Sequence, residues 1–154
     1  MSQVEARLAE HGLTVPEVSA PVAAYIPAVR TGNLVYTSGQ LPFANGELLA
    51  TGIVGSDVDE ATAAAAAQQS ALNAIAAIKS VIGDLDKVVR VVKVVGFVAS
   101  GPTFTKQPVV INGASELFAK AFGDAGVHAR SAVGVSALPL NAAVEVEVIV
   151  EVRD

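Results

Sequence analysis

The chain contains no cysteine, which excludes disulfides, thiolate metal ligation and a cysteine nucleophile. It has only two histidines, His11 and His128, far apart in sequence, so a structural zinc site is not expected. The same scarcity argues against a Ser-His-Asp triad, and Ser38 in "YTSGQ" lacks the glycine two residues earlier that a nucleophile elbow requires. Ten Lys and Arg against 15 Asp and Glu give a net charge of −5, and the basic residues are scattered, which argues against nucleic acid as a partner. Aromatic residues are few. There is no uninterrupted apolar run of membrane-spanning length, and "MSQVEARLAEHG" carries acids where a signal peptide needs an apolar core, so a cytoplasmic location without a membrane partner is expected. No Walker or dinucleotide glycine pattern lies between a strand and a helix, so no cofactor is expected.

What is abundant is apolar and small. Apolar residues make up 52% of the 154 positions and charged residues 16%, an excess that predicts apolar surface buried against other subunits. The length fits a single domain over residues 1–154. Ser2 and Glu5 have capping-box spacing and predict a helix over 3–11, with His11 in its last turn and Gly12 ending it. "TVPEVSAPVAAYIPAVR" reads as extended or loop, with an edge strand near Tyr25–Arg30. A turn at Gly32–Asn33 then leads into a strand through Val35 and Thr37, and Asn45-Gly46 is a hairpin signal.

From Asp57 to Ile82 alanine dominates, and Leu72, Ile75, Ile78 and Ile82 recur at helical spacing, so a long amphipathic helix ending at Gly83 is expected. Asp84 and Asp86 in "IGDLDK" read as turn residues between helix and strand, in preference to metal ligands. "KVVRVVKVVGFVAS" reads as an interior strand, with Val88, Arg90, Val92, Val94 and Gly96 on one face. "PVVINGASELFAKAFG" is a second helix, with Pro108 near its first turn and Gly123 at its end. Two strand-like runs close the sequence as an expected hairpin, with Val144, Val146, Val148, Val150 and Val152 on one face and Glu145, Glu147 and Glu151 on the other. If Leu138–Asn141 is the loop, Glu145 stands opposite Gly134 on the face of Arg130, still about 13 Å from it. The order predicts an α+β fold with the two main helices on one face of a sheet.

Two charged residues stand out for chemistry. Arg130 at a strand start suits bidentate capture of a carboxylate, although spacing alone favours a surface arginine capped by a nearby acid. Glu145, by alternation alone, reads as part of an exposed acidic face.

The segment "ARSAVGVSALPLNAAVEVEVIV" resembles the signature of the RidA family of reactive-intermediate deaminases, also called YjgF-like proteins. The matching features are Ala129-Arg130-Ser131, Leu138-Pro139 and Val144-Glu145-Val146-Glu147. "YIPAVRTGNLVYTSGQLP" is similar to a second block of that family, and "ALNAIAAIKSVIGDLDKVVRVVKVVGFV" to its long helix and following strand. The resemblance implies a chorismate-mutase-like mixed sheet and a homotrimer with clefts between subunits. It also implies hydrolysis of enamines and imines such as 2-aminoacrylate to 2-oxo acids and ammonia. By position, Arg130 would bind the substrate carboxylate and Glu145 would handle the attacking water. Tyr25, Ser38, Gly39, Asn112 and the backbone of Ala132 would line the cleft. Such chemistry needs an anchored carboxylate, a positioned water and a base, and no metal. The alternatives are a non-catalytic trimer binding small carboxylates and, less favoured, an endoribonuclease, a label this family often carries. Ala132 stands where the family often has cysteine, Gly134 where an acid is common and Leu140 where a lysine is common. The first helix and the "ASGPTFTKQP" loop are longer than in short members, so the chain reads as a divergent branch.

Overall fold

The computed structural model describes residues 1–18 and 23–154; part of the expected extended segment, residues 19–22, lies outside the described residues. The elements run α1 (Gln3–Glu10), β1 (Ala28–Thr31), β2 (Leu34–Thr37), β3 (Phe43–Ala44), β4 (Glu47–Leu48), α2 (Glu60–Ile82), β5 (Val88–Ala99), α3 (Gln107–Phe122), β6 (Ala129–Val135) and β7 (Val144–Val152). Five strands form one sheet in the order β1-β2-β7-β5-β6, and β3 with β4 forms a separate hairpin. Within the larger sheet β5 and β6 run parallel and the other neighbours antiparallel. This is the α+β fold that the order of elements predicts, with the mixed sheet that the resemblance implies.

The helix boundaries follow from local chemistry. Ser2 accepts from the Glu5 amide while Glu5 accepts from the Ser2 amide, which closes the capping box on α1. Asp59 caps α2 through the Thr62 amide at 2.7 Å, and Gly83 ends it at φ 77°. Asp84 and Asp86 are turn residues, as expected, and Asp86 has a further task. Its carboxylate accepts from the Gln3 and Val4 amides at 2.9 and 3.3 Å, fastening the N-terminus of α1 to the turn before β5. The Asn45-Gly46 turn takes φ 53° and 81°, as the hairpin signal requires.

The core lies between the sheet and the helices. Val144, Val146, Val148, Val150 and Val152 of β7 are buried against them, together with a dozen residues of α2. Alanine on α2 lets α3 approach until the backbones nearly touch. A Cβ at Gly113 would collide with the carbonyl of Ala64. Gly113→Ala should therefore destabilise the protein by about 1–3 kcal/mol, and a thermal melt should show it as a loss of about 2–4 °C per kcal/mol.

Three expectations need correction. The last two strands are not a hairpin: among the described residues β6 pairs only with β5, and β7 lies between β2 and β5, so the segment from 136 to 143 crosses over the end of β5. The face assigned to β5 slips because register shifts fall between Val88 and Arg90 and between Val91 and Lys93. Each inserts a residue and resets the alternation. The helix-facing residues are thus Val88, Val91, Val94, Gly96 and Val98, with Arg90 exposed and Val92 half-buried. The first edge strand begins at Ala28, which leaves Tyr25 and Ile26 exposed ahead of it.

Among the described residues no helix covers the other face of the sheet. Val29, Tyr36, Ile149, Val95, Phe97 and Val133 share it by register, with Glu145, Glu147 and Lys93 among them. Val29, Tyr36 and Val133 are exposed large apolar residues.

Candidate functional site

The candidate residues fall into two groups. Arg130 and Ala132 lie on β6, the edge strand, opposite Val94 and Gly96 of β5. Val94 is in turn opposite the buried Val148, so Arg130 is on the helix side of the sheet. There it meets α3. Arg130 Nη1 donates to Asn112 Oδ1 at 2.8 Å and to Ser115 Oγ at 3.2 Å. Ala132 is partly buried against the core beside them.

Both protons of Nη1 are thereby used. The Nε–H and Nη2–H groups, which form the side-on fork that matches a carboxylate, have no acceptor among the described residues. No acid pairs with Arg130 among them either. The reading of Arg130 as a surface arginine capped by an acid is set aside on this geometry: its partners are neutral oxygens. A cation oriented by neutral acceptors keeps its full charge for an incoming anion.

The second group lies around the β2–β7 pairing. Glu145 is opposite Phe97 of β5 and so belongs to the uncovered face, not to that of Arg130. Gln40 extends the sheet by bridging Val146, its amide donating to the Val146 carbonyl at 2.8 Å. This brings Gly39 beneath Glu145, and a Cβ at Gly39 would collide with the Glu145 carboxylate. Ser38 donates its hydroxyl to the Ile26 carbonyl at 2.6 Å, holding the segment that carries the exposed Tyr25. Burial pushes the Glu145 carboxyl above the ordinary carboxylate range, and the neighbouring Glu147 charge pushes it the same way.

Within one chain the two groups do not meet. From Glu145 to Arg130 the register counts two strand spacings across and three residues along, about 14 Å in all. They also point from opposite faces. The expected pairing of Glu145 with Gly134 is therefore wrong, because β5 separates the two strands.

Two polar residues at the Arg130 site were not among the candidates. Ser115 Oγ lies 2.9 Å from His128 Nε2, and His128 Nδ1 lies 2.6 Å from the Gly126 carbonyl. Burial holds the imidazole below its usual value, and the Arg130 charge adds to this against the Gly126 hydrogen bond. Sequence contained the signal: Ser115 is three residues from Asn112 on a helix, and His128 lies two residues before Arg130, directly ahead of β6.

Gly134 also finds its reason. A Cβ there would sit 2.8 Å from both Gln107 Nε2 and Ser100 Oγ. The Gln107 amide instead donates to Ser100 Oγ and to the Phe104 carbonyl at 3.2 and 2.7 Å, pinning the long 101–106 loop over β6.

The sequence pattern of the family described as "YjgF/chorismate_mutase-like, putative endoribonuclease" matches residues 5–152. Protein TCP17 of Trypanosoma cruzi is 42% identical over 153 residues, covering 99% of this chain and 96% of that protein. Among solved structures, Atu1372 of Agrobacterium tumefaciens, a protein of unknown function, superposes with a TM-score of 0.92 at 50% identity, covering 97% of this chain and 92% of that one. TdcF of E. coli, solved with bound serine, gives 0.61 at 25% identity, with 90% and 94% covered.

Proposed function

Because the chain belongs to the YjgF/chorismate-mutase-like family, we propose that it hydrolyses small carboxylate-bearing imines and enamines to 2-oxo acids and ammonia. The sites would lie between the subunits of a homotrimer. The observation that carries the reading is the side-on fork of Arg130, oriented by Asn112 and Ser115 and free of any acid among the described residues. The serine bound to TdcF, a small amino acid with its own carboxylate, suits the same anchor.

Arg130 holds the substrate carboxylate, which fixes the adjacent iminium carbon. Water adds to that carbon and gives up a proton to Glu145. The proton then passes to the nitrogen of the resulting carbinolamine. Cleavage of the C–N bond, with the carbinolamine hydroxyl giving its proton to the freed Glu145 carboxylate, leaves the 2-oxo acid and ammonia. A carboxyl whose affinity for protons is raised by burial is better matched to this two-way transfer than a solvated one.

The same distances support a shared site. About 14 Å and a sheet separate anchor and base in one chain, more than a three-carbon acid can span. A second chain covering the apolar face would bring its Arg130 to the first chain's Glu145 and remove Val29, Tyr36 and Val133 from water. The number three comes from the family resemblance.

The separation of the two groups also favours one competing reading, a trimer that binds carboxylates without turning them over. RNA cleavage, which the family description mentions, is poorly matched to a net charge of −5. The test is release of 2-oxo acid from a panel of enzymatically generated imines, paired with calorimetry of 2-oxo acids. Arg130→Ala should weaken carboxylate binding about tenfold or more, as expected for loss of a charge-assisted pair of hydrogen bonds. Unchanged affinity would return Arg130 to a surface role.

A further inference from the structure

The contacts of Arg130 continue beyond Ser115 into a chain with a single consistent direction. The Gly126 carbonyl can only accept, so His128 Nδ1 carries the proton that it receives. In the neutral ring Nε2 is then an acceptor, and the Ser115 hydroxyl donates to it. The serine proton is thus drawn away from Arg130, and an oxygen lone pair is left to accept from Nη1. Were the rotor reversed, serine would present a donor to a donor.

The fold builds this chain deliberately close. Gly126 lies against α3, where a Cβ would collide with the Phe118 carbonyl, and so brings His128 onto the helix. The imidazole packs edge-on to Phe118 with centroids 5.9 Å apart and an interplanar angle of 81°. Asn112, Ser115 and Phe118 are spaced by three along one face of α3, so a single helix face supplies two acceptors for Arg130 and the support for His128.

We propose that Ser115 and His128 are a positioning pair for Arg130, holding one Nη1 proton away from the cleft while Asn112 holds the other, so that the Nε and Nη2 fork is presented, already oriented, to a carboxylate. The proposal rests on the reading of Arg130 as the carboxylate anchor. Neither residue touches the substrate. Each acts by removing freedom that the long arginine side chain would otherwise lose on binding.

The test uses calorimetry with 2-oxobutanoate and steady-state kinetics on the corresponding imine. Ser115→Ala and His128→Phe, the latter keeping an aromatic ring against Phe118, should each raise Kd and KM about 3- to 10-fold, the equivalent of freezing one side chain. Turnover at saturation should stay unchanged, because Glu145 is untouched. The double variant should bind no more weakly than the weaker single, since both act through one chain. Ser115→Thr, which keeps the hydroxyl, should retain wild-type affinity. Unchanged Kd in both single variants overturns the pairing, as do effects that multiply in the double variant or a threonine variant as weak as the alanine one. Arg130→Ala separates the two levels. If it weakens 2-oxobutanoate binding tenfold while Ser115→Ala and His128→Phe do not weaken it, only the positioning pair fails. If Arg130→Ala has no effect, the anchor and the pair fall together.

Discussion

Glu145→Gln should lower imine turnover by about 100- to 10,000-fold, the range set by losing a general base, and should leave 2-oxo acid affinity close to wild type. Glutamine keeps the shape over Gly39 and loses the basic oxygen. The same substitution should act on stability with the opposite sign. Burial and Glu147 raise the Glu145 pKa in the folded protein, so its charged form is penalised there. Stability is then greatest below the unfolded carboxyl value and is lost as pH rises through the raised folded one. The glutamine variant should therefore melt higher than wild type at pH 8, and the advantage should vanish toward pH 4. A subunit-mixing experiment extends the test. Arg130→Ala and Glu145→Gln chains, each nearly inactive alone, should regain activity when exchanged into the proposed common trimers, because some of the proposed clefts would then receive both intact groups. Mixtures that stay inactive, with exchange verified by mass spectrometry, would refute the shared site. Wild-type turnover by Glu145→Gln alone would favour a protein that binds without catalysing.

Gly39→Ala should be the second severe change, although it adds one methyl group. The new Cβ would occupy the space of the Glu145 carboxylate, so the side chain must swing aside. Displacing a reacting group by an ångström can cost on the order of 100-fold in rate. Carboxylate affinity should persist, since in the shared site the carboxylate would be anchored by the Arg130 of a neighbouring chain, which the displaced Glu145 does not hold in place. The decisive measurement is a double-mutant cycle. In a Glu145→Gln background Gly39→Ala should cost little further activity, as the residue it displaces no longer works. A full additional loss would mean that Gly39 matters for a reason other than Glu145.

Much of this site was legible in sequence because its determinants are local. The capping box at Ser2 and Glu5, the Asn45-Gly46 turn and the glycine stop at Gly83 depend on neighbours within a few residues. Alternation in β7 placed Glu145 opposite in sense to the buried valines, and that is where it lies. What failed was non-local. Two strand-like runs joined by eight residues look like a hairpin, and nothing inside them reports that β5, laid down before α3, will come between. The two irregularities in β5 were equally hidden, because a run of valines reads the same in either phase. Arg130 was found by its motif, but its freedom from acids could be known only once α3 had been brought beside β6.

The position of β7 has a consequence for how the protein is made. It is the last of the strands in chain order, yet it fills the middle of the sheet, joining β1 and β2 on one side to β5 and β6 on the other. Before it emerges from the ribosome, β2 and β5 each present an unpaired edge, and the helices α2 and α3 have only part of their floor. Synthesis at about 5–20 residues per second thus holds the nascent chain for several seconds with the two halves of its sheet unjoined. Completion comes in one step, when Val144–Val152 inserts its buried valines between them. Until then the uncovered apolar face of the sheet is itself incomplete, so any surface that it presents forms only with β7.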